Sequence, residues 1–271
     1  MNNKNTFQLS TAAAKLYESQ KVPAVFEPLA RATLQTYSPA GSVATLDVAC
    51  GTGIISRLLS EKLTTPSRIV GSDLNPAMVE VARRMMPASP HTVEWFAADV
   101  TALPFEVGEF DVVFCQQGLQ FFPEKVAALQ ELRRVLKPEG RLILTCWRAV
   151  SPLFQAISDS LVVRLSETAA RQAVTPFAFR DEDIIKQLFS EAGFAQCRVS
   201  ALTVERTLAP PRSAIRDEIL ASTYEGEIRA AGGEVLEAVI NDTESSLESY
   251  RREESIVVPQ QTSLFEGTST A

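Results

Sequence analysis

Short apolar runs alternate with amphipathic segments between residues 43 and 146, and no other feature of the sequence constrains the fold as strongly. The apolar runs are Val43–Ala49, Arg68–Ser72, Val93–Ala97, Asp111–Cys115 and Arg141–Cys146. They are short and rich in valine and isoleucine, as is typical of strands that are buried on both faces. Because strands that alternate with helices pair in parallel, the pattern predicts an α/β fold in which helices cover both faces of a mostly parallel sheet.

Helix signals fill the segments between these runs. Asn75 is a typical N-cap residue and Pro76 follows it in the first turn, which predicts that a helix begins here. A second helix is expected to begin near Pro123 and to end at residues 137–140 (KPEG), where proline and glycine stop it. Both helices lie between predicted strands, as the crossovers of a parallel sheet do.

The segments outside this region are expected to be mostly helical. The expected elements are two helices in residues 10–37 with a break near Val22-Pro23, helices over 152–171 and 181–192, a strand over 196–208, helices over 212–252 and a closing strand over 256–265. The polar termini, residues 1–6 and 267–271, are expected to be disordered.

Composition narrows the class of protein. Hydrophobic residues make up 45% of the 271 residues, which is enough for a sizeable core. The formal net charge of −7 argues against binding to nucleic acid or to an anionic membrane surface, because both need a basic face. No apolar run approaches the roughly 18 residues of a membrane span. The N-terminus lacks the apolar core of a secretory signal, so a cytoplasmic protein is expected.

The use of cysteine and histidine argues against a metal site. The four cysteines, Cys50, Cys115, Cys146 and Cys197, are widely spaced, and His91 is the only histidine. Zinc sites usually show closely spaced pairs of these residue types. The sequence therefore predicts reduced cysteines and no metal ion.

The richest local signal is the segment Asp47–Gly53 (DVACGTG), which is followed at once by a helix-like sequence. Small residues at the end of a strand let a ligand approach the backbone, and the next helix presents free N–H groups to it. Asp73 ends the second predicted strand, where a carboxylate can accept hydrogen bonds from both hydroxyls of a ribose. These features suit NAD and S-adenosylmethionine equally.

Further segments decide between the two cofactors. LDVACGTG, VGSDLNPAMVEVAR, FAADVTALPFEVGEFDVVFCQQGLQFF and LRRVLKPEGRLIL follow one another within about residues 40–148, with a weaker similarity in YESQKVPAVFEPLA near the N-terminus. In this order and spacing they resemble the class I S-adenosylmethionine-dependent methyltransferases, in particular the type 11 group that includes the ubiquinone and menaquinone C-methyltransferases. The resemblance implies a Rossmann-like sheet that ends in an antiparallel pair, where the C-terminal strand inserts. An NAD-dependent oxidoreductase would explain the glycine loop and Asp73 but not the later segments.

The resemblance also implies which residues bind S-adenosylmethionine. It assigns Asp47, Ala49, Gly51, Gly53 and Gln116 to the methionine portion and the sulfonium, Asp73 to the ribose, Leu74 to the adenine face, and Asp99 and Val100 to the adenine edge. Two positions depart from the family pattern: Ala49 stands where many relatives have glycine, and Glu139 replaces the second glycine of a KPGG turn. The sequence assigns no catalytic residue and no oligomeric state.

The segments outside the shared motifs are expected to select the methyl acceptor. Residues 1–40 are expected to form N-terminal lid helices, residues 41–150 the S-adenosylmethionine-binding core, and residues 151–271 a lid helix, the last strands and a helical insertion at about 209–252. The predicted reaction is methyl transfer to a small molecule. A protein or RNA acceptor and a cofactor-binding protein without transfer activity are the alternatives. Against a macromolecular acceptor stand the acidic charge and CQQG, which lies where enzymes that methylate amino groups of bases and glutamine carry Asn/Asp-Pro-Pro-Tyr/Phe.

Overall fold

The computed structural model describes residues 10–269 and divides the chain into two compact units. Among the described residues, the first unit, called the sheet unit here, contains 10–146, the segment Asp181–Leu202 and 262–269. The second, called the helical unit, contains Trp147–Arg180 and Thr203–Gln261. The predicted terminal disorder of residues 1–6, 270 and 271 lies outside the described residues.

A mixed sheet confirms the predicted α/β fold. Its strands are β1 (Ala44–Val48), β2 (Arg68–Asp73), β3 (Thr92–Ala97), β4 (Phe110–Gln116), β5 (Leu136–Trp147), β6 (Gln196–Leu208), β7 (Arg251–Arg252) and β8 (Ser255–Thr268). The strand order is β3-β2-β1-β4-β5-β8-β6, and β7 pairs with β8. The four neighbouring pairs from β3 to β5 are all parallel, as the alternation of strands and helices predicted.

The helices occupy the predicted segments. They are α1 (Thr11–Lys21), α2 (Glu27–Thr36), α3 (Ile54–Lys62), α4 (Pro76–Met85), α5 (Lys125–Val135), α6 (Pro152–Arg164), α7 (Glu167–Val174), α8 (Glu182–Glu191), α9 (Pro211–Leu220), α10 (Glu225–Ala231) and α11 (Gly233–Ser246). The Asn75 side chain accepts a hydrogen bond from the Ala77 N–H at 2.9 Å, which confirms the predicted cap of α4. Apolar side chains of α2 and α3 pack with the sheet; Leu34 and Leu59 belong to the same buried cluster as Phe114 of β4.

The C-terminal strand β8 inserts between β5 and β6, as expected. The Ser269 N–H donates to the Gly140 oxygen at 2.9 Å, and the Arg148 N–H donates to the Gln261 oxygen at 2.9 Å. The residue that bonds to the start of β5 thus has a higher number than the one that bonds just after its end, which shows that β8 runs antiparallel to β5. Gly267 and Thr268 belong to this strand, so the expectation of disorder at these two residues was wrong.

Two predicted helix boundaries were also wrong. The expected break near Val22 is a π-helical segment, Val22–Phe26, that joins α1 to α2; the Val22 N–H bonds to the oxygen of Tyr17, five residues back. The wider turn accommodates the proline inside a continuous helical stretch. The single helix expected over residues 152–171 is two helices, because the Ser166 hydroxyl caps α7 by accepting from the Ala169 N–H at 3.1 Å.

Glu139 lies in the first part of β5, where the pairing with β4 shifts register, and has a φ of +63°. Its side chain is exposed, so little packing depends on it. A residue with a Cβ in this left-handed region destabilises the folded protein by about 1–2 kcal/mol. Glycine removes this strain, but it also raises the conformational entropy of the unfolded chain, which cancels part of the gain. We expect Glu139→Gly to stabilise the protein by about 0.5–1 kcal/mol in urea denaturation. Glu139→Ala removes the same charge but keeps the strain, so equal stability of the two variants would contradict this explanation.

Candidate functional site

The loop between β1 and α3 bends sharply at the carboxyl end of β1. Ala49, Gly51 and Gly53 all have left-handed backbones, with φ values of +52°, +55° and +83°. Glycine adopts this conformation without steric cost, which explains the two glycines of the motif. Ala49 carries a Cβ, so its left-handed backbone is strained where many relatives have glycine. The loop lies at the carboxyl ends of the strands, where ligands of parallel α/β sheets bind.

Asp73, the last residue of β2, fastens this loop. One carboxylate oxygen accepts from the Gly51 N–H at 2.9 Å and the other accepts from the Asn75 N–H at 2.8 Å. Burial raises the pKa of Asp73, and the two backbone hydrogen bonds act in the opposite direction. Each oxygen retains a lone pair, so the carboxylate can accept two further hydrogen bonds.

Asp47, near the end of β1, is a buried carboxylate with only 1% of its surface exposed. One of its oxygens accepts from the Ser56 hydroxyl at 2.9 Å and from the Ser56 N–H at 3.2 Å. Burial raises the pKa of Asp47 to about 7, although the bonds from Ser56 lower it. Asp47 thus places a titratable negative charge beside the loop.

A small cavity lies between this loop and the N-terminal helical segment. Of the predicted site residues, Asp47, Ala49, Gly51 and Gln116 line it. The other lining residues, which the sequence analysis had not assigned, are Tyr17, Val22, Phe26, Cys50, Thr52, Ile54 and Ile55. The rings of Tyr17 and Phe26 stack at 5.2 Å, and the Gln116 amide donates to the Phe26 oxygen at 3.2 Å. The N-terminal similarity YESQKVPAVFEPLA was the signal that could have identified the first three.

The polar atoms of the cavity fit the methionine portion of S-adenosylmethionine. Gln116 Oε1 and Thr52 Oγ1 are buried and have no hydrogen-bond partner among the residues that the structure describes. Together with the Asp47 carboxylate they offer acceptors and negative charge, which an ammonium and a sulfonium require. A buried acceptor without a donor is costly, so a cationic ligand with N–H groups would complete this site.

Gly53 faces a tryptophan instead of lining the cavity. An added Cβ on Gly53 would lie 2.5 Å from the Trp95 ring, and one on Gly71 of β2 would lie 2.2 Å from it. The indole of Trp95 therefore packs directly on two backbones that carry no side chain. This contact supports the loop from the side of β3.

The packing of Trp95 gives a testable consequence at Gly71. Gly71→Ala forces the indole or the backbone to move, because no real Cβ tolerates a 2.2 Å contact, and overpacking of this kind costs about 1–3 kcal/mol. We expect that loss in urea denaturation, and partial recovery in Gly71→Ala/Trp95→Leu. Gly226→Ala is the control, because nothing lies within 4 Å of its added Cβ. A Gly71→Ala protein as stable as the wild type would contradict the contact.

The remaining predicted site residues continue along the same edge of the sheet. Leu74 follows Asp73 and is 42% exposed, which leaves its side chain open to a ligand. The Ala98 N–H donates to the backbone carbonyl oxygen of Asp73 at 3.0 Å. This bond brings the residue after Ala98, Asp99, close to the end of β2. Asp99 Oδ1 accepts from the Thr101 N–H and hydroxyl at 2.9 and 2.8 Å. Val100 is buried, so its backbone is the part available to a ligand.

His91 lies at the amino-terminal ends of the strands, where β2 and β3 begin. Its Nδ1 accepts from the Ser67 N–H at 3.2 Å, and its side chain is 7% exposed. The imidazole therefore bonds to the chain directly before β2, whereas the cavity lies beyond the end of β1. Within residues 10–269, no three metal-ligating side chains lie together, and none of the helices there has the length and hydropathy of a membrane span.

Comparisons with known proteins identify the family of this chain. Residues 46–144 match a family described as a methyltransferase domain. The demethylmenaquinone methyltransferase of Staphylococcus saprophyticus is 30% identical over 170 residues, which are 58% of this chain and 72% of that protein. The corresponding protein of Staphylococcus aureus strain Newman is 32% identical over 170 residues, which are 58% and 70% of the two chains.

Solved structures show the same fold at lower identity. Haemonchus contortus phosphoethanolamine N-methyltransferase 2, in complex with phosphomonomethylethanolamine and S-adenosylhomocysteine, has a TM-score of 0.60 and 17% identity, covering 97% of this chain and 58% of that one. Geranyl diphosphate C-methyltransferase from Streptomyces coelicolor has a TM-score of 0.52 and 14% identity, covering 91% and 80%. At these identities the similarity shows a Rossmann-like α/β fold.

Proposed function

Because this chain belongs to the class I S-adenosylmethionine-dependent methyltransferases of the type 11 group, we propose that it methylates a small molecule, with a ring of the quinone type as the first candidate. Family membership makes it an S-adenosylmethionine-dependent methyltransferase and sets aside the NAD-dependent alternative. The quinone-type ring is inferred from the demethylmenaquinone methyltransferases, which match over more than two thirds of their length. The net charge of −7 favours a small acceptor over nucleic acid.

The observation that carries the proposal is the cavity at the carboxyl end of β1, with its unpartnered acceptors. In this proposal Asp47 and Gln116 face the cationic end of S-adenosylmethionine, where the Ala49 and Gly51 backbones allow close approach. The Asp73 carboxylate accepts hydrogen bonds from both ribose hydroxyls, through the lone pairs that are not used by the N–H groups of Gly51 and Asn75. The adenine lies against Leu74, with Asp99 and Val100 at its edge, and Gly53 contributes by packing on Trp95.

The chemistry of the proposed reaction depends on positioning. S-adenosylmethionine supplies a methyl group that the sulfonium already activates. The residues of this chain then have to orient the acceptor and exclude water, which provides large effective molarities. His91 lies at the opposite edge of the sheet, and burial raises the pKa of Tyr17, so that phenol is protonated at neutral pH and is no base. An acceptor that is already nucleophilic needs neither.

The N-terminal segment acts as a lid in this proposal. Tyr17, Val22 and Phe26 line the cavity, and Gln116 of β4 holds the π-helical segment through the Phe26 oxygen. π-Helical turns are rare, and they occur frequently at functional sites. In this proposal the described part of the N-terminal segment, residues 10–40, controls entry to the methionine portion of the site.

Calorimetry followed by a transfer assay tests the proposed function. The protein should bind S-adenosylhomocysteine and should not bind NAD. It should then transfer an isotopically labelled methyl group from S-adenosylmethionine to a reduced naphthoquinone under anaerobic conditions. Saturable NAD binding without S-adenosylhomocysteine binding would refute the cofactor site, and cofactor binding without transfer to reduced naphthoquinones would refute the quinone-type acceptor.

The ribose contact predicts a specific loss of cofactor affinity. Charge-assisted hydrogen bonds contribute about 1.5–3 kcal/mol each, so Asp73→Ala should weaken S-adenosylhomocysteine binding by at least about tenfold. Asp111→Ala is the matched control, because the Asp111 carboxylate also accepts a hydrogen bond from a backbone N–H, that of Ala44 at 2.8 Å, at the start of β1 and away from the cavity. Equal affinities of folded Asp73→Ala and wild-type proteins would place the ribose elsewhere.

A further inference from the structure

An ion pair joins the first helix to the loop between β1 and α3. Arg57 Nη2 donates to Glu18 Oε1 of α1 at 2.8 Å, and Arg57 Nη1 donates to the backbone oxygen of Thr52 at 2.6 Å. The side chains of Arg57 and Glu18 are only 11% and 13% exposed, so salt screens this pair little. Thr52 lies in the loop and lines the cavity. The guanidinium of Arg57 therefore binds α1 and the loop at the same time.

Glu18 directly follows Tyr17, whose ring covers the backbone of the loop. A Cβ placed on Gly51 would lie 3.8 Å from both Cε1 and the hydroxyl oxygen of Tyr17. Gly51 and Tyr17 both line the cavity. A ligand that contacts the Gly51 backbone can therefore enter or leave only if α1 moves.

The packing of α1 is slight compared with that of α2. Ala14 is the one buried residue of α1, a helix that the structure describes in full, and it packs on side chains of α4. α2 buries one whole face, which includes Leu29 and Leu34. The π-helical segment Val22–Phe26 separates the two helices. Because tertiary packing supplies most of the stability of a helix, α1 can leave the loop while α2 stays in place.

The ion pair can open at low cost. Glu18 Oε2 is buried and has no hydrogen-bond partner among residues 10–269. A buried acceptor without a donor is unfavourable, and both charges of a buried ion pair have lost hydration. When α1 moves away, water reaches the Glu18 carboxylate and satisfies this oxygen. Hydration therefore offsets part of the attraction that is lost on opening.

We propose that the Glu18–Arg57 ion pair is a clasp, which holds α1 over the loop and sets the rate at which S-adenosylmethionine enters and S-adenosylhomocysteine leaves. The inference rests on the cofactor site of the proposed function and adds the control of cofactor exchange. Glu18 is a positioning residue that acts through Tyr17. Arg57 has a second role, because its bond to the Thr52 oxygen also fixes the loop.

Exchange kinetics test the clasp. Radiolabelled S-adenosylhomocysteine on the protein is displaced by an excess of the unlabelled compound, and association is followed by rapid mixing. Glu18→Ala leaves Arg57 buried without its counter-charge, so opening is favoured and both rate constants should rise at least about tenfold. Because the two rates rise together, the dissociation constant should stay within about threefold of the wild-type value. Glu18→Gln keeps an oxygen for Arg57 and should give a smaller rise in both rates.

Glu27→Ala is the matched control. Glu27 pairs with Arg31 at 2.7 Å, in an ion pair that lies within α2 and does not join it to the loop. Both rate constants should be those of the wild type. Arg57→Met should accelerate exchange as Glu18→Ala does and should also weaken S-adenosylhomocysteine binding, because it releases the Thr52 oxygen. The double variant Glu18→Ala/Arg57→Met should be no faster than the faster single variant, since the two side chains act as a unit.

Hydrogen exchange of α1 gives a measurement that needs no cofactor. A helix of 11 residues is marginal in water once it leaves its neighbours, so its amides report opening. In the ligand-free protein, these amides should exchange at least about tenfold faster in Glu18→Ala than in the wild type. The amides of α2 should keep their protection, and Glu27→Ala should not accelerate α1.

Several results would overturn the inference. Unchanged hydrogen exchange of α1 in Glu18→Ala would show that the ion pair does not hold the helix, and unchanged rate constants would show that the helix does not control exchange. A rise in the dissociation rate alone would make Glu18 a binding residue. Additive effects in the double variant, or equal acceleration in Glu27→Ala, would exclude a clasp between Glu18 and Arg57. A wild-type protein that binds no S-adenosylhomocysteine counts against the proposed function, whereas hydrogen exchange still decides whether the ion pair holds α1.

Discussion

A protein that lacks residues 253–271 is expected not to fold into a soluble form. This deletion removes β8, which lies between β5 and β6. Both of these strands would then have an edge without a hydrogen-bonded neighbour. It also removes four fully or almost fully buried side chains: Ile256, Val258, Leu264 and Phe265. Burying each stabilises a protein by about 1.5–3 kcal/mol, so the loss is comparable with a total stability of about 5–15 kcal/mol. Solubility on expression and circular dichroism of any soluble fraction measure the outcome.

A point variant keeps this prediction informative if the truncated chain is lost entirely. Phe265 is fully buried and stacks on Phe189 of α8 at 6.1 Å. Phe265→Ala should remain folded but lose about 3–5 kcal/mol in urea denaturation. A truncated protein with a wild-type melting temperature, or a Phe265→Ala variant of unchanged stability, would show that β8 is dispensable.

The strand pattern was predictable because each strand of the parallel sheet is a local apolar run. The position of β8 in the sheet could not be predicted in this way, because an alternating pattern predicts a strand but not its neighbours. The family resemblance supplied the expectation that the C-terminal strand inserts into the antiparallel pair. The π-helical segment could not be foreseen, since Val22-Pro23 reads as a helix break in any local rule. Ser166 could have been recognised as a cap, but it lies within a continuing apolar period.

The predicted part of the site is the part that local sequence encodes. Asp47, the glycines and Asp73 occur at strand ends, and the structure joins Gly51 to Asp73 by a hydrogen bond. Contacts between distant segments were missed. Tyr17 reaches the loop from another helix, and Gln117 bonds to Thr262, 145 residues away. Partners so far apart in the chain leave no periodicity or spacing that a single sequence could reveal.

Removing the charge of Asp47 is expected to stabilise the ligand-free protein at alkaline pH. The pKa of Asp47 is about 7 in the folded protein, because of burial, against an ordinary value of 3.8. The folded state therefore holds a proton that the unfolded state releases between about pH 4 and pH 7. Stability from this proton is fully present below pH 4 and is lost as pH rises through 7, a change of about 4 kcal/mol. Asp47→Asn keeps an oxygen acceptor for Ser56 and should lack this pH dependence.

The same substitution should weaken cofactor binding, and this opposite effect ties the buried charge to function. A sulfonium and an ammonium near Asp47 favour the ionised carboxylate, so the wild-type affinity for S-adenosylmethionine should rise between pH 6 and pH 8. In Asp47→Asn the affinity should be lower at pH 8 and nearly independent of pH. Urea denaturation and calorimetry at pH 5, 6.5 and 8 measure both quantities. The variant should be more stable than the wild type at pH 8 without ligand and less stabilised by S-adenosylmethionine. An Asp47→Asn protein that binds S-adenosylmethionine as tightly as the wild type at pH 8 would show that the charge does not face the cofactor.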